Sequence, residues 1–117
     1  MDSPWTVLTT RYGDDVETPS VEDLDAALDE VYEEANDEEH PNAWLRYGRA
    51  GGPLYVLDVY AGGRVVLSQW ADADCERALA PDSHMESVPR DEAAELWRRL
   101  TEGDVEWVRS QAWRPGS

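Results

Sequence analysis

Val21, Leu24, Leu28, Val31, Tyr32 and Ala35 recur at the i, i+3, i+4 spacing that places apolar side chains on one stripe of a helix, with Glu22, Asp29, Glu30 and Glu33 on the opposite arc. Pro19-Ser20 opens this helix, with Ser20 as the N-cap and Glu22 and Asp23 in the first turn. The stretch from Asn36 to Pro41 ends it, because the ring of Pro41 cannot continue a helix and biases His40 away from helical geometry. A second helical pattern begins near Pro89 and runs through Leu100, with Ala93, Leu96, Trp97 and Leu100 inward.

Period-two patterning fills the centre of the chain. In AWLRYGRAGGPLYVLDVYAGGRVVLSQWA, the pairs Gly51-Gly52 and Gly62-Gly63 separate three runs rich in Val, Leu, Tyr and Trp. Glycine pairs supply the positive φ angles of tight hairpins, so the pattern predicts a three-stranded antiparallel meander. Its middle run sets Tyr55, Leu57 and Val59 on one side and Leu54, Val56, Asp58 and Tyr60 on the other, and one of these faces must take the helices. Trp5 to Tyr12 reads as a first strand, turned by Gly13-Asp14-Asp15. The segment Asp72 to Val88 reads either as two short strands, ERALAP and HMESVP, or as loop, and Val105 to Val108 as a short strand or extended segment. The expected fold is α+β: an antiparallel sheet built around the meander and packed by two helices, in the order β-α-β-β-β-(β-β)-α-β. Residues 1–110 form one domain, and 111–117 a frayed tail partly held by Trp113. A chain of 117 residues is long enough for a single core without covalent staples.

Charge changes this picture. The net charge is −16, and it is uneven: residues 1–40 carry fourteen acids against Arg11, residues 41–117 twelve acids against nine arginines. Such a field repels nucleic acid and anionic membranes and attracts basic proteins, so neither DNA, RNA nor a membrane surface is an expected partner. One explanation of the acidity is compositional: the chain has no Lys, Ile or Phe, as in a GC-rich coding genome whose acidic surfaces serve solubility. The other is a docking surface. The second helix follows the macrodipole, with Asp91, Glu92 and Glu95 early and Arg98 and Arg99 late. The first breaks it: Glu33, Glu34, Asp37, Glu38 and Glu39 crowd its C-terminal end, where each exposed anion costs about 0.3–1 kcal/mol.

Candidate chemistry is sparse. Cys75 and His84 lie nine residues apart, with Asp72 and Asp74 nearby, and offer a candidate thiol–imidazole pair, but no motif surrounds them. DADCE sets acids at alternate positions but lacks the glycine and closing Glu of a calcium loop. His40 and His84 are too isolated for a zinc site, and the glycine pairs lie between strands and not ahead of a helix, as a phosphate loop requires. The sequence therefore predicts a protein that is not an enzyme and uses no cofactor or metal. Of the six tryptophans, Trp44, Trp70, Trp97 and Trp107 fall in predicted elements and are assigned to the core, while Trp5 and Trp113 are the candidates for exposure. One cysteine and the absence of a signal-like N-terminus or membrane-length apolar run point to the cytoplasm.

The stretch VPRDEAAELWRRLTEGDVEW resembles the C-terminal part of the type-one immunity family of bacterial polymorphic toxin systems. The matching positions are Pro89, Asp91, Glu92, Ala93, Leu100, Thr101, Gly103, Val105 and Trp107. TPSVEDLDAALDEV is similar to that family's first helix through Ser20, Leu24 and Leu28, and GGRVVLSQW to its central strands. The resemblance implies an immunity protein that binds and neutralises a cognate toxin with a basic surface, a nucleic-acid deaminase first and a nuclease second, without catalysis. Asp14, Asp15, Glu22, Asp29, Glu30 and Glu33 are the expected partner-binding residues. The alternative reading is an acidic protein-binding or nucleic-acid-mimic module for another basic partner.

Overall fold

The computed structural model describes residues 4–33, 39, 41–49, 52–71 and 77–116. In chain order its elements are β1 (Pro4–Thr9), β2 (Asp15–Glu17), α1 (Val21–Glu33), β3 (Asn42–Arg49), β4 (Leu54–Tyr60), β5 (Val65–Trp70), β6 (Ala78–Met85), α2 (Arg90–Thr101), α3 (Val105–Arg109) and β7 (Arg114–Pro115). The strands form one seven-stranded sheet in the order β2-β1-β3-β4-β5-β6-β7, with every pairing antiparallel. The α+β class and the β3-β4-β5 meander stand as expected, and β4 is the central strand.

Local chemistry fixes the helix starts. The Ser20 hydroxyl accepts from the Asp23 amide at 3.2 Å, and the Asp23 carboxylate accepts from the Ser20 amide at 2.9 Å, a reciprocal capping box. No basic residue occupies the last turn of α1. A cation arrives there from elsewhere: the buried guanidinium of Arg11, in the β1–β2 turn, donates to the Glu30 carbonyl oxygen. This supplies the charge that the helix's own sequence withholds from its C-terminal carbonyls. Glu34, Asp37, Glu38 and His40 lie outside the described residues. In α2, Glu95 is bridged to Arg98 at 2.5 Å and Arg99 at 2.7 Å, and Gly103 takes φ +79° just past the helix end.

α1 and α2 lie over β3 and β4, on one face only. Leu24, Ala27, Leu28 and Val31 of α1 and Ala93, Leu96, Trp97 and Leu100 of α2 bury against Leu8, Ala43, Leu45, Leu57, Val59, Val65 and Leu67 of the sheet. Tyr55, Leu57 and Val59 are thus the helix-facing side of β4. The Trp97 indole donates to the Leu57 carbonyl oxygen at 3.1 Å, which satisfies its polar atom inside the core. Between the helices, Arg90 Nε donates to the Asp29 carboxylate at 2.6 Å, and Tyr32 donates to the Val88 carbonyl oxygen at 2.8 Å.

Four expectations are corrected. Asp15 does not merely end a turn; with Val16 and Glu17 it forms the edge strand β2. Of the region read as two short strands or loop, the described residues 77–88 contribute one strand, β6, with register shifts near Gln69. Val105 to Val108 is helical, because Asp104 accepts the Trp107 amide at 3.4 Å and caps a short turn whose alternating pattern resembled a strand. The described part of the tail is held beyond Trp113: Arg114 and Pro115 pair with His84 and Ser83, and the Trp113 indole donates to the Val108 carbonyl oxygen at 2.7 Å.

The second glycine of the β4–β5 hairpin has a specific role. Gly63 has φ +91°, and a Cβ there would stand 2.9 Å from the Val88 carbonyl oxygen. Gly63→Ala should therefore destabilise the fold by more than about 1 kcal/mol, against a smaller loss for Gly62→Ala, whose Cβ would meet nothing within 4 Å. Urea unfolding of the two variants checks this ordering.

Candidate functional site

The other face of the sheet carries no helix among the described residues, and its side chains are not those of a solvated surface. The cross-strand register lines them up in rows. One row runs Trp5, Gly48, Leu54, Trp70. The next runs Val7, Arg46, Val56, Ser68. A third crosses all seven strands: Asp15, Thr9, Trp44, Asp58, Val66, His84, Arg114. Gly48 belongs in its row for a steric reason, since a Cβ there would lie 2.7 Å from the Trp5 indole, which rests on the bare backbone.

Two shallow clefts meet on this face at Asp58. The larger, about 570 Å³, is lined by Asp58, Tyr60, Ala61, Arg64, Val66, Ser68 and Asp82. The smaller, about 340 Å³, is lined by Trp5, Asn42, Trp44, Arg46, Leu54, Val56 and Asp58. Trp44, Val56, Tyr60 and Trp70 are half-buried. The assignment of Trp44 and Trp70 to the core is therefore corrected: both sit on the helix-free face, and only Trp97 is fully enclosed. Trp107 lies half-buried beneath Arg99, 4.7 Å from the guanidinium carbon. Trp5 and Trp113 are half-buried too.

Asp58 is the electrostatic centre of this surface. Burial, set against a hydrogen bond from Asn42 Nδ2 at 3.1 Å and reinforced by the charge of Asp82, raises its carboxyl from 3.8 to about 6. Among the described residues no cation pairs with it. Tyr60 on the same strand is also pushed up, by burial and then by the charge of Asp58. Arg46 is equally poorly provided for: its buried Nε makes no hydrogen bond, and Asp15 lies 3.9 Å from its terminal nitrogen. A folded chain keeps such groups at a cost in stability.

The six expected partner-binding residues come from two elements, the β1–β2 region and α1, which Arg11 links through the Glu30 carbonyl oxygen. Asp15 borders the helix-free face, where it accepts from the Thr9 hydroxyl at 2.7 Å. Asp14 is exposed in the turn before it, and Glu22 and Glu33 are exposed on α1, in the opposite layer. Glu30 is half-buried. Asp29 is already engaged by Arg90 and serves helix packing. Of the weaker candidates, His84 has Nδ1 at 2.9 Å from the Gly116 carbonyl oxygen and Nε2 at 3.8 Å from Glu86. Cys75 and the acids of DADCE lie outside the described residues. Among the described residues, no group of three or more His, Cys, Asp or Glu side chains could hold a metal ion, and no helix is long and apolar enough to cross a membrane. Asp58 itself was visible in the sequence as a lone acid inside the apolar run LYVLDVY.

These features define an α+β protein with one helix-covered and one helix-free sheet face, the latter carrying aromatic clefts around a half-buried carboxylate. No family model matches the chain, and no match was found among curated proteins or solved structures.

The Asp58 carboxyl has a thermodynamic signature. Its folded value lies above the unfolded one, so folding favours the protonated acid. That contribution is fully present below pH 3.8 and is lost as the pH rises through about 6. The ionised group then costs the fold about 2–3 kcal/mol. Asp58→Asn should accordingly be more stable than the parent at pH 8 by about 2 kcal/mol, with the difference closing below pH 4. Urea unfolding across that range measures it; a difference independent of pH would contradict the burial argument.

Proposed function

We propose that the chain is an immunity-type binding protein that neutralises a cognate toxin with a basic surface, a nucleic-acid-directed deaminase ahead of a nuclease, by covering its substrate groove. One observation carries this reading: in a chain of net charge −16, an aromatic sheet face carries no helix among the described residues and holds an ionisable carboxylate that no described cation pairs. A surface of apolar anchors ringed by acid suits a partner whose own groove is apolar at its floor and cationic at its walls, as a groove for a nucleic-acid strand is. The action is steric and electrostatic, with no bond made or broken, and takes place in the cytoplasm of the producing cell.

Steering and seating fall to different parts of the molecule. The exposed carboxylates Asp14, Glu22 and Glu33, with the half-buried Glu30, contribute to the long-range field that draws a cationic protein inward. Electrostatic steering of this kind carries association toward ~10⁸ M⁻¹s⁻¹ at low salt and fades as the ionic strength rises. The seat is the sheet face, where Trp44, Val56, Tyr60 and Trp70 supply buried area. Asp29, tied to Arg90, takes no part in contact. The resemblance of the α2–α3 region and of α1 to the type-one immunity family supports the same reading.

Co-expression with the product of the neighbouring gene is the test. The expected result is a stable complex and rescue of growth, with association slowed about tenfold at low salt when Glu22, Glu30 and Glu33 are changed together to Lys, and with a flattened salt dependence. Absence of both complex and rescue would overturn the immunity reading and leave an acidic module for some other basic partner.

A further inference from the structure

The larger cleft on the helix-free face is chemically lopsided. Asp58 on β4 and Asp82 on β6 both line it, close enough that the charge of Asp82 opposes ionisation of Asp58. Arg64 lies at the rim but pairs with Glu86 at 3.7 Å, and no ion pair joins it to either aspartate. Ser68, between them on β5, is 9 % exposed, and its hydroxyl makes no hydrogen bond among the described residues. Two carboxylates and the unpartnered hydroxyl of the largely buried Ser68 thus share one cleft, which Tyr60, Ala61 and Val66 also line. Like charges facing one another at a half-buried site are costly unless a cation comes between them.

We propose that this cleft receives an arginine side chain of the cationic partner, its guanidinium shared between the Asp58 and Asp82 carboxylates. The proposal rests on the reading of the chain as a binder of a basic protein and names the contact that reading lacks. Arginine suits the cleft better than lysine for two reasons. Its planar fork can donate to two carboxylates and to the Ser68 hydroxyl at once, and it is the more weakly hydrated cation, so it loses less on entering a partly dry site. Its flat face can also lie along the Tyr60 ring. Arg46, which lines the neighbouring cleft with its positive charge, keeps the cation on the Asp82 side of Asp58. With Trp44 beside Asp58 in the same cross-strand row, a loop that inserts this arginine would bring its apolar neighbours onto the second cleft.

The test uses the full isotope-labelled chain and N-acetyl-arginine amide, with the citrulline analogue as a neutral probe of nearly the same shape, followed by NMR at pH 7.5 and low salt. The expected result is saturable shifts at Asp58, Tyr60, Val66 and Ser68, at least tenfold weaker binding of the citrulline compound, and at least fivefold weaker arginine binding by Asp58→Asn and Asp82→Asn. The Asp58 carboxyl midpoint should also fall from about 6 when arginine is bound, because a cation favours the ionised form. Equal binding of the two probes, shifts confined to the acids of α1, or unchanged binding by both variants would overturn the cleft. Saturable arginine binding at these residues supports it whether or not the chain neutralises a toxin. Its absence overturns the cleft even where neutralisation is found.

Discussion

A sheet presents two faces to water, and among the described residues this chain lays its long helices on only one. Seven strands at about 4.8 Å spacing make a surface roughly 30 Å across. α1 and α2, each about 10 Å wide with side chains, settle over its centre at β3 and β4. Everything on the helix side follows from that choice: the enclosed Trp97, the fully buried Leu28, Leu45 and Leu57, and the Arg90–Asp29 link that holds the helices together. On the opposite side, strand geometry forces every second residue of β1, β3, β4 and β5 outward. Among those residues are Trp5, Trp44, Val56, Tyr60 and Trp70, which cover one another only in part.

Asp58 gives that face its character. Placed in the central strand between Trp44 and Val66, it is dehydrated by its neighbours and supported by a single amide. Replacement by an apolar residue would strengthen the sheet, yet the chain keeps a carboxylate there and a second one, Asp82, across the same cleft. Stability is given up at a place where binding would recover it. On the proposed reading, the acid of the first forty residues steers and does not seat. Its one local cation, Arg11, is turned inward to the end of α1, so the outward field stays negative. A field acts over a Debye length, whereas a seat acts at contact, and the two can lie on different layers of one small domain.

Much of the architecture was legible in the order of residues. The stripe from Leu24 to Val31, the Ser20 cap, the glycine-separated meander and the inward set Ala93, Leu96, Trp97 and Leu100 are all local patterns, and each appears in place, whereas Val21 at the head of the stripe is 56 % exposed. What failed was nonlocal or short. Val105 to Val108 alternates like a strand, but a cap at Asp104 outweighs four residues of alternation. Arg114 and Pro115 have no strand signal of their own and pair because β6 offers an edge. The candidate site was missed for the same cause. Alternation along β4 separated Asp58 from Leu57, but it could not say which side the helices would take, nor that Asp82 would arrive two strands away. Charge density drew attention to α1, whereas the contact chemistry depends on who is left uncovered. The pairing of Asp29 with Arg90, sixty-one residues apart, likewise escapes any reading of one helix by itself.

The central claim is that the helix-free sheet face is the seat of a cationic protein partner. Hydroxyl-radical footprinting of the chain alone and in complex with the neighbouring gene product measures this directly, because Trp44, Tyr60 and Trp70 report their own solvent contact. The account predicts a several-fold fall in oxidation of these three rings on binding, with residues of α1 little changed. Undiminished oxidation of Trp44, Tyr60 and Trp70 in a complex that shields α1 would contradict it.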